Sequence, residues 1–175
     1  VSSQQNSRRY QIEEIFTFKA LDYFFHYFRA LPKLSELRNV NNKNISLALF
    51  KDQIKPAWED PRNQDGGYYS FTISLLPNRT VIDEIWFHML LRIIGNSLQE
   101  QFKDKIGING IYMKLKPNNN AFDMQIWVSS EPKHDTDFDR TFITDIIKFC
   151  HECSGYDFEN SKPQPLFIPF QSKKK

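Results

Sequence analysis

The sequence has few of the features that membrane proteins, disulfide-stapled proteins and duplex-binding proteins require. It contains two cysteines among 175 residues, too few for a disulfide framework. No apolar run approaches the roughly 18 residues of a membrane-spanning helix. The formal net charge is +2, far from the strongly basic profile of proteins that grip long stretches of phosphate backbone. We therefore expect no membrane association, and any contact with nucleic acid should be limited to a few phosphates.

The sequence also lacks the residue spacing of a metal site. Cys150 and Cys153 form one pair, but no second cysteine pair exists and His26, His88 and His134 are scattered. We expect two reduced thiols and no cofactor. The first ten residues, VSSQQNSRRY, lack the features of a secretory signal, which predicts a cytoplasmic or nuclear protein.

Aromatic and apolar residues, by contrast, are plentiful. Hydrophobic residues make up 40% of the chain and aromatic residues 15%, with sixteen phenylalanines. This composition excludes a disordered chain, and the length suits one domain with a sizeable core. We expect a flexible segment over residues 1–9, one domain over residues 10–172 and a basic tail over residues 173–175.

Hydrophobic periodicity predicts strands and helices that do not alternate strictly. Helical patterns cover residues 18–30, 81–102 and 137–151, and Thr80 or Asp83 can cap the second of them. The order favours an α+β fold with a single curved antiparallel sheet and helices packed on one face. Strand patterns cover residues 10–18, 45–50, 68–76, 106–116 and 121–130, and the start of PLFIPFQSKKK.

The most informative stretch is IKPAWEDPRNQDGG, residues 54–67. Its prolines, Asn, Asp and Gly pair indicate a shaped loop that presents Trp58 and Glu59 to solvent. A flat ring beside a carboxylate suits a planar cation with hydrogen-bond donors on one edge, such as guanine methylated on its imidazole ring. The alternative is a turn whose Trp packs in the core and whose acids are merely solvated.

Four segments together resemble the cap-binding translation initiation factor 4E family. They are FKDQIKPAWEDPRNQDGG, IDEIWFHMLLRIIGNS, NGIYMKLK and MQIWV, and the similarity runs from about Phe18 to Ser172. The resemblance implies a curved antiparallel sheet with three helices packed on its convex face and a cap slot on the concave side. It implies binding of capped mRNA, with 7-methyl-GTP as the minimal ligand.

The resemblance also implies roles for particular residues in cap binding. Trp58 would be the second stacking aromatic, Glu59 the carboxylate that reads the guanine edge, and Trp127 the ring against the methyl group. Lys116 falls where a phosphate-binding Arg is expected, and Lys114 shares its face of the strand. The tail that begins at Lys173 would add positive charge on the phosphate side.

Three departures from the family pattern stand out. An ungapped register puts Arg8 at the first stacking aromatic, but Tyr10 lies two residues on and keeps the same strand facing, so we assign that role to Tyr10. Asp123 replaces a phosphate-binding Lys and would repel phosphate. Tyr68 replaces another expected base, which leaves Lys114, Lys116 and the tail to bind the triphosphate.

A partner surface is implied on the helical side. The first predicted helix carries two apolar stripes, one more than a core requires. The family's scaffold-binding positions fall on Leu21, Phe25, Phe87 and Leu91, which implies binding of a factor 4G type scaffold or a 4E-binding protein. Phe25 stands where the family usually has Trp, so this contact should be altered.

Two other functions compete with cap-dependent initiation. One is a 4E-like interaction protein or translational repressor with weak or no cap binding. The other is an enzyme that uses Glu59 and Asp60 as acid and base, which is disfavoured because adjacent residues on an extended loop point apart. The sequence contains no nucleophile beside a base and no phosphate-cradling glycine loop, so we expect a non-enzymatic binding module.

Overall fold

The chain divides into two compact units, Val1–Leu31 and Pro32–Lys175. The computed structural model describes residues 12–39, 45–132, 135–158 and 164–170. The expected domain limits at residues 10 and 172 lie outside the described residues.

In the first unit, aromatic side chains pack around a short helix. Helix α1 is Leu21–Phe28, shorter than the predicted 18–30, and its buried residue is Phe24. The ring of Phe24 lies 5.3 Å from that of Phe18, and Phe16 stacks on Tyr27 at 4.8 Å. The strand predicted over residues 10–18 is wrong for its described part, because residues 12–18 pair with no strand and two of their rings turn onto α1 instead.

The second unit contains one five-stranded antiparallel sheet in the order β1-β3-β4-β2-β5. The long hairpin of β3 and β4 forms its centre, as the alternating pattern predicts. The expected α+β class with a single antiparallel sheet is confirmed. The strands are Ser46–Phe50, Gly67–Ser74, Ile108–Leu115, Ala121–Val128 and Leu166–Pro169, numbered β1 to β5.

One side of the sheet, the helix face, is apolar and covered. Helices α2 (Val81–Ile94) and α4 (Thr136–Ser154) are joined by an ion pair from Arg92 to Asp145 at 2.6 Å. The ring of Tyr69 lies 4.4 Å from Phe142 on α4. The fully buried side chains of this face are Tyr69, Phe71, Ile73, Ile111, Met113, Leu115, Phe122, Met124, Ile126 and Val128.

The helix predicted over residues 81–102 is interrupted. Helix α2 ends at Ile94 and a short α3 spans Ser97–Phe102. Between them Asn96 adopts a left-handed conformation with φ of 59°, which Asn tolerates better than most residues. None of the helices in the described parts of the chain is long and apolar enough to cross a membrane.

Neither predicted cap closes the start of α2. The hydroxyl of Thr80 bonds to the Asn78 side chain, and the helix start has no side-chain cap. The Asp83 carboxylate instead accepts hydrogen bonds from the backbone N–H and hydroxyl of Ser35, at 2.9 and 2.5 Å. Asp83, which the local pattern predicts as a helix cap, is thus bound by a residue 48 positions earlier in the chain.

Arg79 joins three segments of the second unit. Its guanidinium donates to the carbonyl oxygens of Ser35 and Leu37, at 2.6 and 2.9 Å, before α2, and to that of Asn119, at 2.6 Å, in the β3–β4 turn. A planar group with a fixed fork of donors suits this arrangement, whereas a Lys ammonium could not reach all three acceptors.

Replacing Arg79 by Ala is expected to lower the free energy of unfolding by about 2 to 4 kcal/mol, since three partly buried carbonyl groups lose a charged donor. Urea unfolding followed by circular dichroism measures the change. Arg140→Ala, on the exposed face of α4, is the control and should change stability by less than about 0.5 kcal/mol. An equal effect of the two substitutions would show that the three-way contact is not a stabilising junction.

Candidate binding site

The loop over residues 51–66 lies at one end of the sheet. It leaves β1 after Phe50 and joins β2 just before Tyr68. Strand register places Phe50 beside Gly110, Gly110 beside Trp127, and Trp127 beside Tyr68. The loop therefore connects two positions that flank Trp127 on either side.

Asp60 anchors this loop from the inside. Its side chain is 6% exposed. One carboxylate oxygen accepts from the backbone N–H of Lys55 at 2.8 Å and the other from that of Arg62 at 3.0 Å. These two backbone hydrogen bonds, that of Lys55 first, hold the pKa of Asp60 below its ordinary value. The interpretation of both loop acids as merely solvated is therefore wrong for Asp60.

Asn63 ties the loop to the sheet. It is fully buried, and its amide nitrogen donates to the carbonyl oxygens of Lys55 and Ala57, at 2.9 and 2.8 Å. Its amide oxygen accepts from the side chain of Asn109 on β3 at 2.9 Å. An irregular loop thus gains partners for its inward-facing polar groups without a helix or strand.

Trp58 and Glu59 face outward, as the sequence predicts. Trp58 is 37% exposed, so the alternative in which it packs in the core is wrong. Glu59 is exposed, and its carbonyl oxygen accepts from the Gln64 side chain at 3.1 Å. Glu59 in solvent and Asp60 in the interior are in opposite environments, which argues against their use as a joint acid and base.

The side of the sheet opposite the helices is here called the front face. Its residues form three rows that run across the strands, and these rows are here called ranks. The ranks follow from strand register and from the alternation of side chains along each strand. In order from the loop end they are Phe50, Gly110, Trp127, Tyr68 and Ile168; then Ala48, Tyr112, Gln125, Ser70 and Leu166; then Ser46, Lys114, Asp123 and Thr72.

Trp127 is enclosed by other rings and only 7% exposed. Its ring centroid lies 4.5 Å from that of Phe170, 5.2 Å from Phe50, 6.0 Å from Tyr68 and 6.2 Å from Tyr112. Sequence reasoning singled out Trp127 and Tyr68 but did not predict that rings enclose Trp127. Little of its surface faces solvent, and its contact with a methyl group stays a prediction.

Gly110 makes this packing possible. A Cβ atom there would lie 2.6 Å from the ring of Phe50, closer than real contacts allow. The missing side chain leaves the space in which Phe50 meets Trp127 edge-on. A glycine in a strand interior often marks such a close approach.

A hydrogen-bonded chain of side chains runs along the front face. The Trp127 ring N–H donates to Gln125 at 3.0 Å, and the Gln125 amide donates to Asp123 at 2.7 Å. The second Asp123 oxygen accepts from the Ser70 hydroxyl at 2.6 Å. Sequence reasoning missed Gln125 and Ser70, whose only signal was their period-2 spacing from Trp127 and Tyr68.

The two predicted phosphate-binding lysines lie at the far end of this face. Lys114 is half-buried and directly opposite Asp123 across the β3–β4 pair. Lys116 follows the end of β3, and its backbone N–H donates to the carbonyl oxygen of Ala121 at 2.8 Å. Trp127 and Lys114 thus share one face, with the second rank between them.

Four of the six remaining predicted residues lie on helices α1 and α2. Tyr10 and Lys173 lie outside the described residues. Among the predicted partner-binding residues, Leu21 is 48% exposed and Phe25 half-buried, both on α1 in the first unit. Phe87 and Leu91 are half-buried, one turn apart on α2 in the second unit.

No cluster in the described part of the chain has the donor set of a metal site. Cys150 is buried and Cys153 half-buried, and both are free thiols. Burial raises the pKa of the Cys150 thiol, which disfavours its reactive thiolate form. A cavity of about 400 Å³ lies elsewhere, lined by residues of α3, of the segment after it and of α4 with its N-cap, among them Phe102, Lys105 and Asp135.

These features define an α+β fold with a single antiparallel sheet, a polar and aromatic front face and an exposed Trp–Glu loop at its end. Residues 2–162 match the sequence model of the family described as Eukaryotic initiation factor 4E, a family of translation initiation factors. The chain belongs to this family.

Curated relatives include translation factors from yeast, worm and human. Eukaryotic translation initiation factor 4E of Saccharomyces cerevisiae is 29% identical over 122 residues, which cover 70% of this chain and 52% of the relative. The human factor 4E type 1B is 34% identical over 80 residues, covering 46% of this chain and 33% of the relative. The chain spans about half the length of the first of these relatives.

Solved structures show the same fold. The complex of Caenorhabditis elegans eIF4E-3 with the 4E-binding protein Mextli has a TM-score of 0.67 at 19% identity, covering 90% of this chain and 79% of that one. Ascaris suum eIF4E-3 with an m2,2,7G cap has a TM-score of 0.66 at 20% identity, and the match covers 89% of this chain and 84% of that one. At these identities the likeness establishes the fold.

Replacing Asp60 by Asn is expected to flatten the acid limb of the stability profile. Because the pKa of Asp60 is lower in the folded state, its charge contributes stability above the ordinary carboxyl pKa of about 3.9. That contribution is lost as pH falls through the lower folded pKa. Urea unfolding between about pH 2 and 5 should therefore show a shallower pH dependence in the variant.

The matched control is Asp52→Asn, which removes an exposed carboxylate from the same loop. Its profile should follow that of the wild type. If both variants keep the wild-type slope, the Asp60 charge is not coupled to folding.

Proposed function

We propose that this chain is a non-enzymatic module that binds the 7-methylguanosine cap of mRNA in the cytoplasm. The observation that carries the proposal is the exposed Trp58–Glu59 pair on a loop fixed by buried Asp60 and Asn63. A fixed loop keeps ring and carboxylate in place before the ligand arrives, which lowers the entropy cost of binding. Related support comes from family membership and from Ascaris suum eIF4E-3, solved with an m7G cap.

Two interactions would distinguish the methylated base from plain guanine. Methylation gives the base a delocalised positive charge, so it is attracted to the electron-rich face of Trp58. It also makes the donors on the base edge more acidic, so their two hydrogen bonds to the Glu59 carboxylate strengthen. Plain guanine has the same shape but lacks the charge.

The same chain would recruit a factor 4G type scaffold or a 4E-binding protein through its helices. Leu21 and Phe25 on α1 would supply apolar contacts to such a partner, and Phe87 and Leu91 on α2 would supply further ones. The exposure of Leu21 in the folded chain supports this assignment. Schistosome eIF4E, a solved structure with the same fold, is complexed with m7GpppG and a 4E-BP.

A second candidate function is a 4E-like interaction protein or repressor that binds cap weakly or not at all. The enclosure of Trp127 favours it, because a ring that is 7% exposed offers little area to a ligand. The buried Asp123 carboxylate on the same face also favours it, since it adds negative charge where a triphosphate would lie.

Retention on immobilised 7-methyl-GTP separates the two functions. A cap-binding protein should be retained, elute with free 7-methyl-GTP and fail to elute with GTP at the same concentration. A folded protein that flows through, yet still binds a 4E-binding peptide, would refute cap binding and support the second candidate.

Glu59→Gln should weaken binding of 7-methyl-GTP by about 2 to 4 kcal/mol, because an amide N–H would face a donor of the base. Trp fluorescence quenching measures the affinity. Asp65→Asn, an exposed carboxylate in the same loop, is the control and should lower affinity only slightly. Equal losses in the two variants would remove Glu59 from the guanine edge and indicate a general charge effect.

Leu21→Asp should weaken binding of a 4E-binding-protein peptide at least tenfold, because a charge enters an apolar contact, a cost of about 1.4 kcal/mol or more. Isothermal titration with the peptide measures this. Thr136→Asp, an exposed neutral-to-acidic change on α4, should leave peptide affinity intact. Cap affinity should be unchanged in both variants, and wild-type peptide affinity in Leu21→Asp would place the partner surface elsewhere.

A further inference from the structure

The third rank of the front face places a carboxylate and a cation at facing positions of two neighbouring strands. Lys114 and Asp123 are opposite each other on neighbouring strands, a position in which opposite charges attract. Asp123 is 8% exposed, so its charge lies in the sheet surface and not in open solvent. A charge at such a site is screened far less than an exposed one.

The Asp123 side chain is also held in place. Its two oxygens accept from Ser70 at 2.6 Å and from Gln125 at 2.7 Å, so neither is available to turn toward solvent. Its influence extends along the face, because burial first and the Asp123 charge second raise the pKa of the Tyr68 hydroxyl. The negative charge is therefore a fixed property of this face.

We infer that Asp123 is a specificity-determining residue, whose fixed charge offsets that of Lys114 and makes cap binding nearly independent of the number of phosphates. This inference rests on the proposed cap-binding function and names the ligand class within it. The site would recognise the methylated nucleoside through Trp58 and Glu59. The phosphate chain, passing Lys114, would gain little.

Asp123→Asn removes the charge and keeps the hydrogen bonds. The Asn oxygen can still accept from Gln125, and the Asn amide can donate to the Ser70 hydroxyl, which rotates to become the acceptor. The chain of hydrogen bonds to Trp127 therefore persists. Asp139→Asn is the matched control, because Asp139 accepts a hydrogen bond from Tyr69 on the helix face and loses the same charge there.

Affinities for 7-methylguanosine, its monophosphate and its triphosphate test the inference by fluorescence titration. The wild type should bind all three within about threefold of one another. In Asp123→Asn the triphosphate should gain about 5- to 20-fold over the nucleoside, the range expected for a partly screened charge within about 8 Å. Asp139→Asn should keep the wild-type ratio.

A double-mutant cycle with Lys114→Ala adds a readout that loss of structure would not produce. Lys114→Ala should lower triphosphate affinity about tenfold, because it leaves the Asp123 charge without an opposite charge, and adding Asp123→Asn should restore the wild-type ratio of triphosphate to nucleoside affinity. An unchanged ratio of triphosphate to nucleoside affinity in Asp123→Asn would overturn the inference while leaving cap binding intact. Absence of binding by all three ligands to the wild type would instead refute the proposed function.

Discussion

The site depends on one requirement, that the inward-facing polar groups of the loop over residues 51–66 find hydrogen-bond partners. With no helix or strand in this loop, backbone hydrogen bonds within its turns and the side chains of Asp60 and Asn63 supply those partners. Both side chains point inward to do so. Because Asp60 and Asn63 point inward, Trp58 and Glu59 point outward. The exposure of Trp58 and Glu59 is thus a consequence of the burial of Asp60 and Asn63.

The same requirement governs the front face. A sheet covered by helices on one side usually carries solvated polar residues on the other, yet Asp123 and Gln125 are almost completely buried there. They are stable in that position because each is hydrogen-bonded to a neighbour, in a chain that ends at the Trp127 ring. The packing of rings around Trp127 and the hydrogen bonds of Gln125 and Asp123 thus hold each other in place.

The sequence predicted the parts of this structure that are set locally. The β3–β4 hairpin, the sheet class and the exposed Trp58–Glu59 pair all follow from alternation, turn residues and composition. The rest depended on hydrogen bonds that the local sequence pattern does not predict. The local pattern predicts that Asp83 caps a helix, but its carboxylate accepts hydrogen bonds from Ser35. The local pattern also allows a solvated Asp60, but that carboxylate accepts hydrogen bonds from two nearby backbone N–H groups. The break at Asn96 was missed because apolar residues resume at Leu98, although Gly95 and Asn96 are typical of a helix end.

The order of the three ranks gives the front face a direction along β4. Aromatic rings come first, then an amide and a hydroxyl, then opposite charges on neighbouring strands. A molecule with a flat ring at one end and charge at the other matches this order in one orientation only. Reversed, it would set its charge among the rings. A polymer that ends in such a group would therefore be bound with a defined polarity, and the path of the following chain would be set before any of its own sequence is read.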